Sequence, residues 1–273
     1  MVRFIPVTKE LKNKFWKKPE NMLFAKNISA VPVAIDEISK LSLFLPLVFI
    51  KGQNEKYELI ALLNLLPQGN LFVNNQGGWI GRYIPWFFLA HPFTLGFTEK
   101  KEPVLLIDED FLVSDSEGRP IFKENEELDD EIINILKFLL ERARGYQMTS
   151  QICDKIAEME LFEPLNLKIK TGEQEKPIEG LYKINLEKYT QLEDEKILEL
   201  RKYGAFILIY AHLFSLNNLE MLVNLLKFQA SQAQSVQAKK TSEVFEEKKT
   251  HVSEEISSEG LEEILKELKF PEK

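Results

Sequence analysis

The residue types that most often carry chemistry are few in this chain, and they do not follow known catalytic or metal-binding spacings. Its three histidines, His91, His212 and His251, lie far apart, so no helical pair of metal ligands can form. Cys153 is the single cysteine, which excludes an internal disulfide. Neither a phosphate-binding glycine loop nor a GxSxG turn occurs in the sequence. We therefore expect no metal and no cofactor, and catalysis is not the leading hypothesis.

The segment 78–97, GWIGRYIPWFFLAHPFTLGF, is the richest candidate for a binding site. It combines many aromatic side chains with two prolines and few polar groups, and Pro85 limits any helix within it. One interpretation is ordinary core packing. The other is an aromatic-walled pocket for an anionic or peptide ligand, with Arg82 and His91 as polar contacts. The candidate ligand-binding residues in the segment are Trp79, Arg82, Tyr83, Trp86 and His91.

A cluster of acidic residues, Asp108, Glu109 and Asp110, directly follows a short apolar run at 104–107. Carboxylates at the end of a strand can act as general acid and base or bind a hard cation if other groups face them. A solvated turn is the alternative. Asp108 is the strongest candidate because it adjoins the apolar run.

Composition narrows the classes of function. The chain has 273 residues, 44% of them hydrophobic, which is enough for a sizeable core. A net charge of −8 without a basic stripe argues against nucleic-acid binding. The longest apolar run, 205–216, is shorter than a bilayer span and predicts a buried core helix, so we expect no transmembrane segment. Because the first residues lack a signal-peptide pattern, we expect a cytoplasmic protein.

The pattern of apolar residues predicts an α+β fold with a β-rich N-terminal half and a helical C-terminal half. Predicted strands lie at 46–50, 57–63, 70–73, 93–98 and 104–107, and a helix is predicted at 35–43. After a turn-rich stretch, helical spacing runs over 129–161, where Gly145 either interrupts the helix or divides it. A hairpin is predicted from 165–169 and 180–184, and two further helices from 194–227, divided at Gly204.

The predicted organisation has four parts: an N-terminal arm at 1–21 that packs Phe15 and Trp16, a body at 22–227, a disordered linker at 228–257 and a short amphipathic helix at 258–270. The linker has too few apolar residues to offset the entropy of ordering. Leu261, Ile264, Leu265 and Leu268 form one apolar stripe on a helix too short to be stable alone. This stripe is a candidate docking surface for the body, for a partner protein or for a second copy of the chain.

The order of several sequence blocks resembles the SapC family. These blocks are PLVFI, LIALLNL, GNLFVNNQGGWIGRYIPWFF, HPF, IEGLYKI and GAFILIYAHLFSL. The resemblance extends from about residue 17 to residue 227. It implies a link to bacterial surface-layer loci, where the gene accompanies export machinery. Family members commonly carry arginines before the Pro-Phe pair, where this chain has Leu89, Ala90 and His91.

Three hypotheses follow. The leading one is a noncatalytic accessory or interaction protein of the cytoplasm that supports the production or export of surface proteins. The second is an enzyme or small-ligand-binding protein that uses segment 79–97 and the acidic turn 108–110. The third is a structural subunit of the surface layer, which requires a route to the cell surface independent of a signal peptide.

Overall fold

The computed structural model describes residues 3–114, 118–171, 174–229 and 231, and these residues confirm the α+β class. The chain divides into two units, Met1–Val223 and Asn224–Lys273. The strands are β1 (Phe4–Pro6), β2 (Phe15–Trp16), β3 (Ala30–Pro32), β4 (Leu47–Lys51), β5 (Tyr57–Leu62), β6 (Phe93–Phe97), β7 (Pro103–Asp108), β8 (Leu112–Val113), β9 (Arg119–Pro120), β10 (Phe162–Pro164), β11 (Leu167–Thr171), β12 (Gln174–Ile178) and β13 (Leu181–Ile184). The α-helices are α1 (Ile38–Leu41), α2 (Asp130–Glu158), α3 (Leu186–Thr190), α4 (Asp194–Lys202) and α5 (Ala205–Ser215).

The largest sheet in the described residues has five antiparallel strands in the order β10-β13-β4-β5-β3. Its centre is the apolar run predicted as a strand, and Leu47, Val48 and Phe49 of β4 are fully buried. A strand that is covered on both faces reads as a continuous apolar run, which explains why this element was clear in the sequence.

Residues 4–6 and 15–16 of the predicted N-terminal arm form strands that pair with strands of the body. Strand β1 pairs with β7, which also pairs with β6, and β2 pairs with β8 and β9. Trp16 is 2% exposed and lies edge-on to Phe93. The expected packing of Trp16 on the body is therefore found, but the short pairing strands around it gave no periodic signal.

Two predicted elements differ from the structure, one in its hydrogen bonds and the other in its strand partners. Residues 70–73 make only an isolated bridge between Val73 and Trp79. The buried side chain of Asn70 accepts a hydrogen bond from the Phe72 amide and donates one to the Ala25 carbonyl, a pattern that competes with a ladder. The predicted hairpin also differs: β13 pairs with β10 and β4, whereas β11 pairs with β12.

Helix α2 is continuous through Gly145. Asp129 caps it by accepting a hydrogen bond from the Glu131 amide, as expected for an aspartate before a helix. Gly145 lies where α2 passes the segment containing Ala34 and Asp36, and an added Cβ would lie 2.9 Å from the Cβ of Ala34. The glycine therefore allows a close approach and does not end the helix. Helix α2 packs against β5 and β6 and so joins the two main sheets.

Among the described residues one helix, Ala205–Gln229, is long and apolar enough to cross a membrane, with 33% of its most apolar window buried. Core helices of soluble proteins satisfy the same criteria, so this finding alone does not assign a membrane span. Its first part, α5, follows Gly204, whose φ of +70° suits glycine at the junction with α4. Buried His212 and exposed Phe214 show that α5 has one covered face and one open face.

Candidate functional site

The aromatic segment forms a short 3-10 turn, Trp86–Phe88, directly after Pro85 and then enters β6. Proline fixes its own φ and cannot donate a backbone hydrogen bond, so a long helix through this segment is excluded. The irregular backbone spreads the aromatic rings in several directions. Phe88 is buried, whereas Phe87 is 43% exposed.

These rings surround a cavity of about 370 Å³ between the aromatic segment, β6 and α2. This size falls within the range of small-molecule sites. Most of the wall is apolar. It includes Phe24, Trp86, Phe87, Phe88, Phe93, Leu95, Phe97, Phe138, Leu139 and Ala143. The polar lining residues are His91, Thr94, Arg142 and Tyr146.

Arg142 is a buried charge in the cavity wall, with 7% of its surface exposed. Its guanidinium lies 4.1 Å from the centre of the Trp86 ring and 5.6 Å from that of Phe138. Nη2 donates a hydrogen bond to Asp36 Oδ2 at 2.5 Å. Nε and Nη1 are buried and have no hydrogen-bond partner within the described part of the chain. Because buried polar atoms are nearly always paired, this arginine is the most unusual feature of the cavity.

Glu37 holds the backbone of Trp86 in place through a hydrogen bond. Its Oε1 accepts hydrogen bonds from the Trp86 amide at 2.7 Å and from the Tyr83 hydroxyl at 2.9 Å. Burial raises the pKa of Glu37, although these hydrogen bonds and Arg142 oppose the shift. Burial and the adjacent Glu37 carboxyl also raise the pKa of Tyr83, so the phenol stays protonated at neutral pH. The pair therefore acts as a support for Trp86.

His91 lines another part of the cavity, and Asp108 lies next to it outside the wall. The His91 ring stacks on Phe24 with the ring centres 3.8 Å apart. Its Nε2 lies 3.6 Å from Asp108 Oδ2, which is too long for a hydrogen bond. Burial lowers the pKa of His91 to about 4, and burial raises the pKa of Asp108. His91 is thus neutral at physiological pH.

The structure separates the remaining candidates from the cavity. Trp79 packs behind it, with its indole Nε1 donating to the Tyr83 carbonyl at 3.1 Å. Arg82 is exposed and does not line the cavity. Glu109 forms an exposed ion pair with Arg3 at 3.1 Å, as expected of a solvated turn.

Four further predicted residues lie outside the described residues. They are the docking candidates Leu261, Ile264, Leu265 and Leu268. Within the residues that the structure describes, no group of three or more histidine, cysteine or acidic side chains could hold a metal ion.

Sequence reasoning therefore selected three cavity residues or their direct neighbours, Trp86, His91 and Asp108, but missed Arg142. A signal for it was present. Arg142 stands three residues after Leu139 and three before Gly145, on the face of α2 that Thr149, Cys153 and Ile156 also bury. A lone arginine on an apolar helix face implies a buried charge with a specific partner.

One protein family matches most of the chain. The sequence profile of the SapC family matches residues 8–222, which includes all the cavity residues named above. No curated protein and no solved structure matches the chain. The profile covers most of the sequence, so the protein belongs to the SapC family.

Proposed function

We propose that this SapC-family protein is a noncatalytic binding protein that holds a small, largely apolar ligand in the aromatic cavity. The observation that carries the proposal is the cavity itself. A segment used only for core packing would fill its space, since protein interiors are packed as densely as organic crystals. Here, aromatic side chains from several elements instead surround about 370 Å³.

In the cell, we propose an accessory role in the cytoplasm in the production or export of surface proteins. The chain belongs to the SapC family, and the link to surface-layer loci that the resemblance to this family implies is the support for this role. Fractionation of intact cells tests the location. The protein is expected with the soluble cytoplasmic proteins and should resist protease added outside the cells. Digestion of the protein on intact cells would contradict the cytoplasmic role and favour transport to the surface.

An enzyme is the second candidate, and the proximity of Asp108 to His91, which lines the cavity, is the observation in its favour. A general base works best when its pKa lies near the working pH and when a partner orients it. His91 satisfies neither condition, since burial lowers its pKa to about 4 and Asp108 is 3.6 Å away. Binding therefore agrees better with the geometry than proton transfer does.

A neutral fluorescent probe, N-phenyl-1-naphthylamine, tests the binding proposal. We expect saturable fluorescence enhancement with one site per chain. Ala143→Phe, which places a ring in the cavity wall, should weaken binding at least tenfold. The matched control is Met148→Phe, at an exposed position of the same helix outside the cavity. It should bind like the wild type.

Circular dichroism must first show that both variants are folded. If Ala143→Phe is folded and binds the probe as tightly as Met148→Phe, the probe does not enter this cavity and the proposed function is wrong.

A further inference from the structure

We infer that the ligand of the cavity is an organic anion, with an apolar body in the aromatic part and an oxyanion, such as a carboxylate, on Arg142. The inference rests on the proposed binding function and adds the chemical class of the ligand.

The first step is the hydrogen bonding of Arg142. A guanidinium has five N–H donors and no acceptor. One nitrogen of Arg142 reaches Asp36, while Nε and Nη1 are buried without a partner in the described residues. These two nitrogens need acceptor atoms, and Arg142 lies in the wall of the cavity. A ligand oxygen that reaches them from the cavity would supply the missing acceptor.

The second step is charge. Asp36 is the ion-pair partner of Arg142, but its side chain is 45% exposed, so solvent screens its charge. The side chain of Arg142 is only 9% exposed, so its charge is less screened. The other carboxyl close to it, Glu37, already accepts hydrogen bonds from Tyr83 and Trp86. Buried guanidinium groups bind ionised oxygens more strongly than neutral ones, which favours an anionic ligand over an amide or alcohol.

The third step is preorganisation. The guanidinium lies over Trp86, whose backbone amide is fixed by Glu37, and near Phe138 of α2. A donor group that is already held in place loses little conformational freedom when a ligand binds. Arginine stacked on an aromatic ring is also the residue best suited to planar oxyanions such as carboxylates.

The fourth step is the body of the ligand. Beyond Arg142 the wall consists mainly of rings, among them Phe24, Phe88 and Phe93. These rings suit an aromatic or acyl group and offer few partners for the hydroxyls of a sugar. The complete ligand class is therefore an apolar organic acid.

Two dyes that differ by one sulfonate test this inference. N-phenyl-1-naphthylamine is neutral, and 8-anilino-1-naphthalenesulfonate carries the same rings with an anionic group. Arg142→Met should weaken binding of the sulfonate at least tenfold more than it weakens binding of the neutral dye. Asp36→Asn removes the competing carboxylate, so it should tighten binding of the sulfonate at least threefold and leave the neutral dye unchanged.

If Arg142→Met does not fold, Asp36→Asn still tests the inference. Loss of structure cannot tighten binding of the anionic dye while leaving binding of the neutral dye unchanged. Equal responses of the two dyes in both variants would overturn the anion inference and leave the binding function in place. If the wild type binds neither dye, the proposed function fails as well.

Displacement of the sulfonate dye identifies the type of acid. Decanoate represents acyl carboxylates and 2-naphthoate represents aromatic ones. Displacement by either compound supports a carboxylate ligand. The stronger competitor shows whether the carboxylate is carried by an acyl chain or by an aromatic ring. If neither carboxylate displaces the bound dye at millimolar concentration, the assignment to carboxylates is wrong.

Discussion

Gly145→Ala tests the close approach that brings Asp36 to Arg142. An added Cβ would lie 2.7 Å from Asp36 Oδ1 and 2.9 Å from the Cβ of Ala34. Alanine in a helix interior is favoured over glycine by about 1 kcal/mol. Overpacking a fitted contact costs about 1–3 kcal/mol. Ala34 is fully buried and cannot move aside, and the Gly145 carbonyl accepts a hydrogen bond from the Ile35 amide. We therefore expect the steric cost to dominate, with a net loss of about 1 kcal/mol.

Urea denaturation followed by circular dichroism measures this difference in the free energy of unfolding. The control is a double-mutant cycle with Asp36→Ala, which removes one of the two contacting atoms. Because that contact is part of the cost, the double variant should be more stable than the sum of the single changes predicts, by about 0.5–1 kcal/mol. If Gly145→Ala stabilises the protein by the full helix-propensity difference, α2 does not pass the 34–36 segment as closely as described.

Two further predictions concern buried titratable groups of the body. Burial lowers the pKa of His212 from its ordinary value of 6.5 to about 4, so the unfolded chain takes up the proton first as pH falls from about 6.5 towards 4. The free energy of unfolding should fall over that window by up to about 3 kcal/mol from this group. In His212→Gln the titrating group is gone, and the new amide can pair with the Leu47 carbonyl and the Ile184 amide. Urea titrations should show that this variant loses less free energy of unfolding than the wild type between pH 7 and 4.5. Equal losses in the two proteins would contradict the assignment of this pH dependence to His212. Burial also raises the pKa of Cys153 to about 12, so Ellman's reagent should label one thiol per chain in urea but not in native protein. Rapid native labelling would show that α2 opens.

The elements that the sequence predicted well are those with strong, continuous patterns. The apolar run of β4 identified that strand because its first three residues are fully buried, and apolar residues spaced three and four apart identified α2. Short strands such as β2 escaped prediction, since two residues cannot show a period. The Asn70 turn also escaped, because its hydrogen bond to the distant Ala25 carbonyl is set by tertiary structure.

The sequence indicated the aromatic character of the cavity wall but only some of its residues. The aromatic segment could be predicted as part of a cavity wall because it contains more rings than a short segment needs for packing. An arginine contact was predicted too, but at Arg82, which is close in sequence and exposed in the structure. The arginine in the cavity wall is Arg142, 56 residues beyond Trp86 in the sequence, and the two side chains stack. Local sequence cannot show a contact over that distance, whereas the periodic face of α2 contained the signal.

The most direct test of the central claim is a crystal structure of the full chain with 8-anilino-1-naphthalenesulfonate. We expect the rings to lie in the cavity against Phe88 and Phe93, with sulfonate oxygens accepting hydrogen bonds from Arg142. A dye bound elsewhere, with the cavity closed by its own side chains, would show that the cavity is not an anion-binding site.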